Sequence, residues 1–358
     1  MKLKCGVAGL GRGRTFVEEL RKISGCEVVA VCDENPHKLE DYGDLRTFTE
    51  YDAFINDGGM DVVAIITRGP DHAAQSVTAL GAGLHVICET PCVYTVDEAR
   101  EVVNAARSSS AKYMLTEDYI FMGWVQTWEK LIEDGKLGEI VYAEGEYTHD
   151  CRNIFFIDES GAYVPLKDRD KHSNLGLAWR ATDLPPLKYC SHTLGPLLHL
   201  MSDRCVTASG LQSGCKSVPG SGAIDMEVGI FKTEKGSLVR LTNGFSIAHP
   251  FAYFVGLYGT KGSVKMLRIG ESSVKAWFED EHSGSSWVDL PAQWADREDG
   301  RVWLSVCIEG FIDSVRNDTE PPIDVYKSMD YTLPGICAHD SAEQGGNVME
   351  IPDLRGST

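Results

Sequence analysis

The sequence predicts a two-domain α/β protein: a doubly wound parallel sheet over residues 1–122, then an α+β domain with long, mostly antiparallel strands over 123–358. Three observations carry this. Short apolar runs alternate with helical patterns through the first third, which calls for crossover connections between parallel strands. After residue 139 the runs lengthen and alternate apolar with polar, the pattern of sheets buried on one face. A glycine-rich turn, GVAGLGRGRT, joins the first apolar run to the first helical pattern. At 358 residues the chain is long for one domain and sufficient for two, each with its own core.

In chain order, KCGVAGL, CEVVAVCD, DVVAIIT, LHVICE and KYMLTED read as buried strands, being short, rich in β-branched residues and bounded by turn signals. TFVEELRKIS, YDAFINDG, HAAQSVTALGAG and VDEAREVVNAARSS read as the helices between them. WVQTWEKLIEDGK opens the second domain as a helix. EIVYAEGEYTHD, IDMEVGIFKT, SLVRLTNGFSI, YFVGLYGTKGSVKML and VKAWFED follow as antiparallel strands. The insert NIFFIDESGAYVPLKDRDKHSNLGLAWRATDLPPL is polar and punctuated by Gly and Pro, and loops of that length are often functional. VWLSVCIEGFIDSVRND is helical, and with the tail VYKSMDYTLPGICAHDSAEQGG it is a candidate to return over the first domain.

Hydrophobic residues make up 43% and charged residues 24%, ordinary globular usage. The net charge of −19 repels polyanions, so nucleic acid is not expected as a partner. No run approaches the ~18 apolar residues of a membrane span, and MKLKCGVAGL enters a strand pattern without an apolar leader. A cytoplasmic protein without a membrane partner is expected. The eleven cysteines then read as reduced thiols, and since none forms a CxxC or a zinc-spaced Cys/His cluster, no metal is expected.

Glycines between a strand and a helix let the backbone approach a pyrophosphate at the positive helix end, and Gly9, Gly11 and Gly13 stand there. The usual third glycine would fall on Arg14, with Gly13 one place early. Asp33, at the end of the second strand and 22 residues after Gly11, can accept hydrogen bonds from a ribose and repel a 2'-phosphate, which favours NAD over NADP. Arg12 is either a phosphate ligand or a solvated side chain. The competing reading is a glycine-rich turn in a nucleotide-free domain.

TRGPDHAAQSVTALGAGLHVICETPCVYTVDEAREVV, together with the glycine turn and GTKGSV, resembles the glucose-fructose oxidoreductase/inositol dehydrogenase (Gfo/Idh/MocA) family over nearly the whole chain. The resemblance implies an N-terminal Rossmann domain and a C-terminal α+β domain with a large open, mostly antiparallel sheet. It also implies nicotinamide and substrate meeting between them, and a homo-oligomer formed through the open sheet. It places Thr67, His72, Glu89 and Pro91 on the cofactor side. The family's Glu-Lys-Pro appears here as Glu89-Thr90-Pro91, and Lys188 stands where the family has an aspartate four places before its active-site histidine, here His192. Threonine cannot do the lysine's proton-linked work near neutral pH, so a simple inositol-dehydrogenase mechanism does not carry over. EGEYTHD, AWR and YCSHTLGP resemble a branch of NAD-dependent α-N-acetylgalactosaminidases and glycoside-oxidising enzymes that also lacks the lysine, with Tyr189, His192, Gly195, Pro196, His149 and Trp179-Arg180 matching its signatures.

LKYCSHTLGPLLHL gathers Lys188, Tyr189 and His192 just before an apolar run. In a helical turn Lys188 and Tyr189 would stand at i−4 and i−3 to His192 on one face. Pro196 opposes a helix running far through this stretch, and the alternative is a loop entering the helix. Oxidising a carbinol requires a base within hydrogen-bond reach of the hydroxyl. Either Tyr189, with its proton affinity lowered by Lys188, or His192 can serve. Trp179 and Arg180 offer a sugar an apolar ring face and a fork of donors. His149, His249 and Tyr119 are further candidates for substrate contact, Tyr119 following Glu117 and Asp118 at the end of the last parallel strand. The plain alternative for each is a surface or structurally bonded residue.

Three functions compete. One is oxidation of a sugar or glycoside secondary hydroxyl, at carbon 3, to a ketone that feeds a downstream lyase. Another is an NAD-dependent glycosidase that oxidises, eliminates and reduces in one site. The last is a nucleotide-binding regulator without turnover.

Overall fold

The computed structural model describes residues 2–266, 274–284, 286–290 and 302–356. The chain forms two compact units, one of residues 1–121, 300–330 and 353–358, the other of residues 122–299 and 331–352.

The first unit alternates β1 (Leu3–Ala8), α1 (Gly13–Lys22), β2 (Cys26–Cys32), β3 (Arg46–Phe48), α2 (Tyr51–Asn56), β4 (Val62–Ile65), α3 (His72–Gly81), β5 (His85–Cys88), α4 (Val96–Ser108) and β6 (Tyr113–Leu115). All six strands are parallel, in the order β3-β2-β1-β4-β5-β6. The order reverses beside β1, so the turn after β1 lies at the switch point where such sheets bind ligands. β4 is buried at every residue, as strands covered by helices on both faces must be. α1 buries Phe16, Val17 and Leu20, spaced at i, i+1 and i+4 along one face, and starts at Gly13, two residues before the predicted start. α4 starts on a capping box, Thr95 Oγ1 accepting from Glu98 N while the Glu98 carboxylate accepts from Thr95 N. β3 was not expected from the sequence; RTF is three residues long, with two of them exposed.

The second unit begins with α5 (Gly123–Glu133) and β7 (Ile140–Thr148). The insert that the sequence presented as a polar loop instead forms a small antiparallel sheet of β8 (Phe156–Ile157), β9 (Tyr163–Val164) and β10 (Gly176–Leu177), ordered β10-β8-β9. Two-residue strands leave no periodicity to read. α6 (Trp179–Thr182) and α7 (Ser191–Met201) follow, then β11 (Cys205–Gln212), β12 (Met226–Thr233), β13 (Leu238–Gly244), β14 (Ala252–Gly259), β15 (Gly262–Met266), β16 (Val274–Phe278) and β17 (Val288–Asp289). The run YFVGLYGTKGSVKML is thus two strands and a turn; Leu267 lies outside the described residues. Helix α8 (Trp303–Asn317) belongs to the first unit, with Cys307 and Phe311 fully buried and Ser305 Oγ donating to Glu19 Oε2 over 2.5 Å. α9 (Val325–Glu343) starts in the first unit and ends in the second, and β18 (Met349–Glu350) completes the large sheet.

That sheet has nine strands in the order β17-β16-β15-β14-β7-β13-β12-β11-β18. The expectation of antiparallel strands holds except at its centre, where β7 and β13 run parallel. Alternation cannot reveal this, because it reports which face is buried and not strand direction. β11 was missed: CVTASGLQ is rich in small and hydroxyl residues. In β12 Glu227, Gly229 and Phe231 are buried while Val228 and Ile230 face out, the period of two expected.

Candidate functional site

In the first unit the glycine turn is stitched to the end of β2. Gly9 N donates to Cys32 O over 2.7 Å, and Leu10 N donates to Asp33 Oδ2 over 2.7 Å. Gly9 has φ +87°, and a Cβ there would stand 2.4 Å from Ile66 O. At Gly11 a Cβ would meet nothing within 4 Å, leaving the turn bare. A Cβ on Gly13 would come within 3.1 Å of Val7 Cγ1. Gly13 therefore permits the close helix–strand approach that the fingerprint's third glycine serves, one position early. Bare backbone at a helix N-terminus suits a dinucleotide pyrophosphate.

Asp33 is buried; its Oδ1 accepts from Asn35 N over 2.9 Å, and Lys38 Nζ lies 3.1 Å from Oδ2. A carboxylate fixed by two amides is positioned to accept ribose hydroxyls. Arg12 stays half-exposed yet pairs through Nε with Glu89 Oε1, and its Nη2 lies 3.9 Å from Asp118 Oδ2. The guanidinium is thus neither fully solvated nor free of carboxylates. His72 opens α3 fully buried, with Nδ1 2.9 Å from Pro91 O and Nε2 3.3 Å from Thr67 O. Burial lowers its affinity for a second proton. It ties the end of β4 to the cis Thr90–Pro91 bond, with both ring nitrogens turned to protein carbonyls. Thr67 Oγ1 donates to Gln75 Oε1 over 2.5 Å. Tyr119 lies in the turn Asp118–Phe121, its ring edge-on to Trp303 at 6.2 Å.

In the second unit Lys188 and Tyr189 lie in a 3-10 turn, Pro186–Tyr189, and His192 is the second residue of α7. The loop-entering-a-helix alternative is what forms. Tyr189 Oη and His192 Nε2 are 3.1 Å apart, with the rings perpendicular at 4.9 Å. His192 is 6% exposed, whereas Tyr189 is half-buried, so the phenol is the outer member of the pair. Tyr147 packs on both rings, at 6.1 Å from Tyr189 and 5.5 Å from His192, and on His149 at 6.5 Å. Phe245 stacks edge-on to Tyr189 and Phe251 to His149, each at 5.7 Å. Burial lowers the proton affinity of His149, although Asp150 beside it opposes this. Arg180 lies over the Trp179 ring at 4.4 Å and donates to Tyr163 Oη over 3.2 Å. His249 turns Nδ1 to Pro250 O at 2.6 Å.

Residues 3–117 match the GFO_IDH_MocA profile, described as an oxidoreductase family with an NAD-binding Rossmann fold. Over 98% of its length the chain is 26% identical to glycosyl hydrolase family 109 protein 2 of Phocaeicola vulgatus, covering 94% of that protein. The first unit thus matches the Gfo/Idh/MocA family of NAD-binding oxidoreductases. A second relative, the alpha-N-acetylgalactosaminidase of Tannerella forsythia, is 21% identical over 98% of this chain and 86% of its own. A levoglucosan dehydrogenase solved with NADH and L-sorbose shares the fold, with a TM-score of 0.79 at 15% identity over 99% of this chain and all of that one.

Several residues that support the site went unnoticed in the sequence. Glu227, fully buried, accepts from Leu187 N over 2.8 Å and faces His339 Nδ1 at 2.8 Å. Asn243 Nδ2 donates to Pro186 O over 3.1 Å and to Tyr189 O over 3.3 Å. Both hold the turn that carries Lys188 and Tyr189. A signal existed: each is a polar residue at an inward position of an alternating strand, Glu227 in register with Gly229 and Phe231, Asn243 with Val239 and Leu241. Tyr147 was also legible, since it stands two residues from His149 on one strand face.

Proposed function

We propose that this oxidoreductase uses NAD to oxidise a secondary hydroxyl of a sugar or glycoside, at carbon 3, to a keto-glycoside. The single observation that carries the reading is the Tyr189–His192 pair, 3.1 Å apart between aromatic walls. Removing the hydroxyl proton needs an acceptor within hydrogen-bond reach, and a phenol backed by an imidazole can take that proton as it passes its own inward. Tyr189 receives the substrate proton through Oη, and His192 Nε2 takes the phenol proton; the carbinol C–H leaves as hydride while C–O becomes C=O. NAD, when bound, would supply the hydride acceptor; Gly9, Gly11, Gly13 and Asp33 would hold it, with Arg12 and Glu89, Thr67, His72 and Pro91 on the cofactor side. Lys188 supplies positive charge for the oxygen as its proton departs. Trp179 offers a face to the sugar ring, and Arg180, His149, His249 and Tyr119 offer polar contacts.

The ketone acidifies the neighbouring C–H bond, so a separate lyase can expel the aglycone. A second reading is favoured by the names of the two relatives, a family 109 glycosyl hydrolase and an alpha-N-acetylgalactosaminidase: elimination, water addition and reduction follow within the same site. The experiment is mass spectrometry of aryl and carbon-linked glucosides incubated with the protein and NAD, with Tyr189→Phe and His192→Ala as controls. A product lighter by two hydrogens, lowered about 100-fold or more in the controls, supports the oxidoreductase. Free aglycone with an unchanged sugar mass supports the glycosidase, and NAD binding without any product refutes both.

Two further parts belong to this reading. The protein works in a reducing cytoplasm, supported by eleven free cysteines of which ten are buried. Among the described residues no helix is long and apolar enough to cross a membrane. It assembles with copies of itself through the outer face of the large sheet, supported by Leu211, Val228, Ile230 and Leu238, which stand exposed on the adjacent strands β11, β12 and β13.

A further inference from the structure

Proline at position 196 has no N–H, so α7 cannot make the hydrogen bond that would run from residue 196 to the carbonyl of His192, four residues earlier. A proline ring also crowds the carbonyl four residues earlier in a helix. A buried carbonyl needs a donor. Here it comes from another element: Tyr253 on β14, fully buried, donates from Oη to His192 O over 3.0 Å. The same histidine presents Nε2 to Tyr189.

We propose that Tyr253 is a positioning residue, whose hydroxyl replaces the helix bond forfeited at Pro196 and so sets the orientation of the His192 ring toward Tyr189. Had residue 196 carried an N–H, the His192 carbonyl would be bound within its own helix, and no hydrogen bond from β14 would hold it. With the proline, the turn is pinned to a central strand of the sheet, and movement of the His192 backbone is resisted at the residue whose ring matters. The inference rests on the proposed oxidation for its activity arm alone.

The test is a rescue. Tyr253→Phe keeps the ring and removes the donor; adding Pro196→Ala restores an N–H aimed at the same carbonyl. In protein labelled with carbon-13 at histidine Cε1, the His192 resonance is assigned by its disappearance in His192→Ala. Tyr253→Phe is expected to move that resonance and its titration midpoint, and Tyr253→Phe/Pro196→Ala to bring both back toward the parent protein. On a turned-over glycoside, Tyr253→Phe is expected to lower kcat about tenfold with KM little changed, and the double variant to recover most of it. An unmoved His192 resonance in Tyr253→Phe, or a double variant no closer to the parent than the single one, overturns the inference. If the parent protein oxidises no glycoside, the proposed function fails while the resonance still decides the role of Tyr253. Thermal melts accompany each variant, since a purely structural tyrosine would change the melt and leave the His192 midpoint in place.

Discussion

Asp33 joins three things at one carboxylate: the Leu10 amide of the glycine turn, the Asn35 amide and the Lys38 ammonium. Asp33→Ala should therefore loosen the turn and remove the ribose acceptor together, weakening NAD at least about tenfold by titration calorimetry. It should weaken NADP less, because Lys38 is then released toward a 2'-phosphate; equal losses for both cofactors would refute this role. Histidines make a separate prediction. His72, His85 and His149 all have their proton affinity lowered, with burial the largest cause in each. The unfolded chain then binds protons more readily than the folded one, so their stabilising contribution is complete above the ordinary histidine value of 6.5 and is lost as pH falls below it. Urea midpoints should drop between pH 7.5 and 5.5, and His72→Gln should flatten that drop; a midpoint constant over this range would contradict it. Asp150, held low by the hydrogen bond from Arg152, adds a loss only further down, as pH falls below 3.8.

The strand-turn-helix of β1 and α1 separates two kinds of glycine. Gly9→Ala would place a Cβ against Ile66 O and force a positive φ on alanine, so it should destabilise the apo protein by about 1–3 kcal/mol. Gly11→Ala meets no neighbour and should leave the apo melting temperature almost unchanged while weakening NAD at least about tenfold. Equal melting temperatures for the two variants would refute the distinction. Elements of this kind were legible because their cause is local: a buried run, a glycine turn and a helix start lie adjacent in sequence. The approach of Tyr189 to His192 was legible for the same reason. Glu227 and Asn243 were legible only as inward polar residues; that they and Tyr253 reach this turn was not, since they approach it from strands 40, 54 and 61 residues away along the hydrogen bonds they make. β11 and the small sheet of the insert escaped because small residues and two-residue strands carry no period.

The exposed face of the nine-stranded sheet mixes an apolar stripe with a bonded polar group. Ile230 pairs with Arg240 across β12 and β13, and Glu144 on β7 accepts from Arg240 over 2.5 Å and from Tyr258 over 2.5 Å. Burial raises the Glu144 carboxyl, but these hydrogen bonds prevail and leave it below its ordinary value. Analytical ultracentrifugation should find an oligomer in the parent protein, and Ile230→Arg should shift it toward the monomer; a monomeric parent would remove the proposed assembly. The parallel pairing at the sheet's centre has one more consequence. β7 is flanked by β13 and β14, and both lie about 90 residues or more further along the chain. On the ribosome, β7 therefore emerges with both backbone edges unpaired; the edge that β13 covers stays so until residue 244 has left the exit tunnel, and the edge that β14 covers until residue 259 has. A stalled or truncated nascent chain ending in the insert would expose a nine-residue template to its neighbours, so chaperone engagement should be strongest while that span is being synthesised.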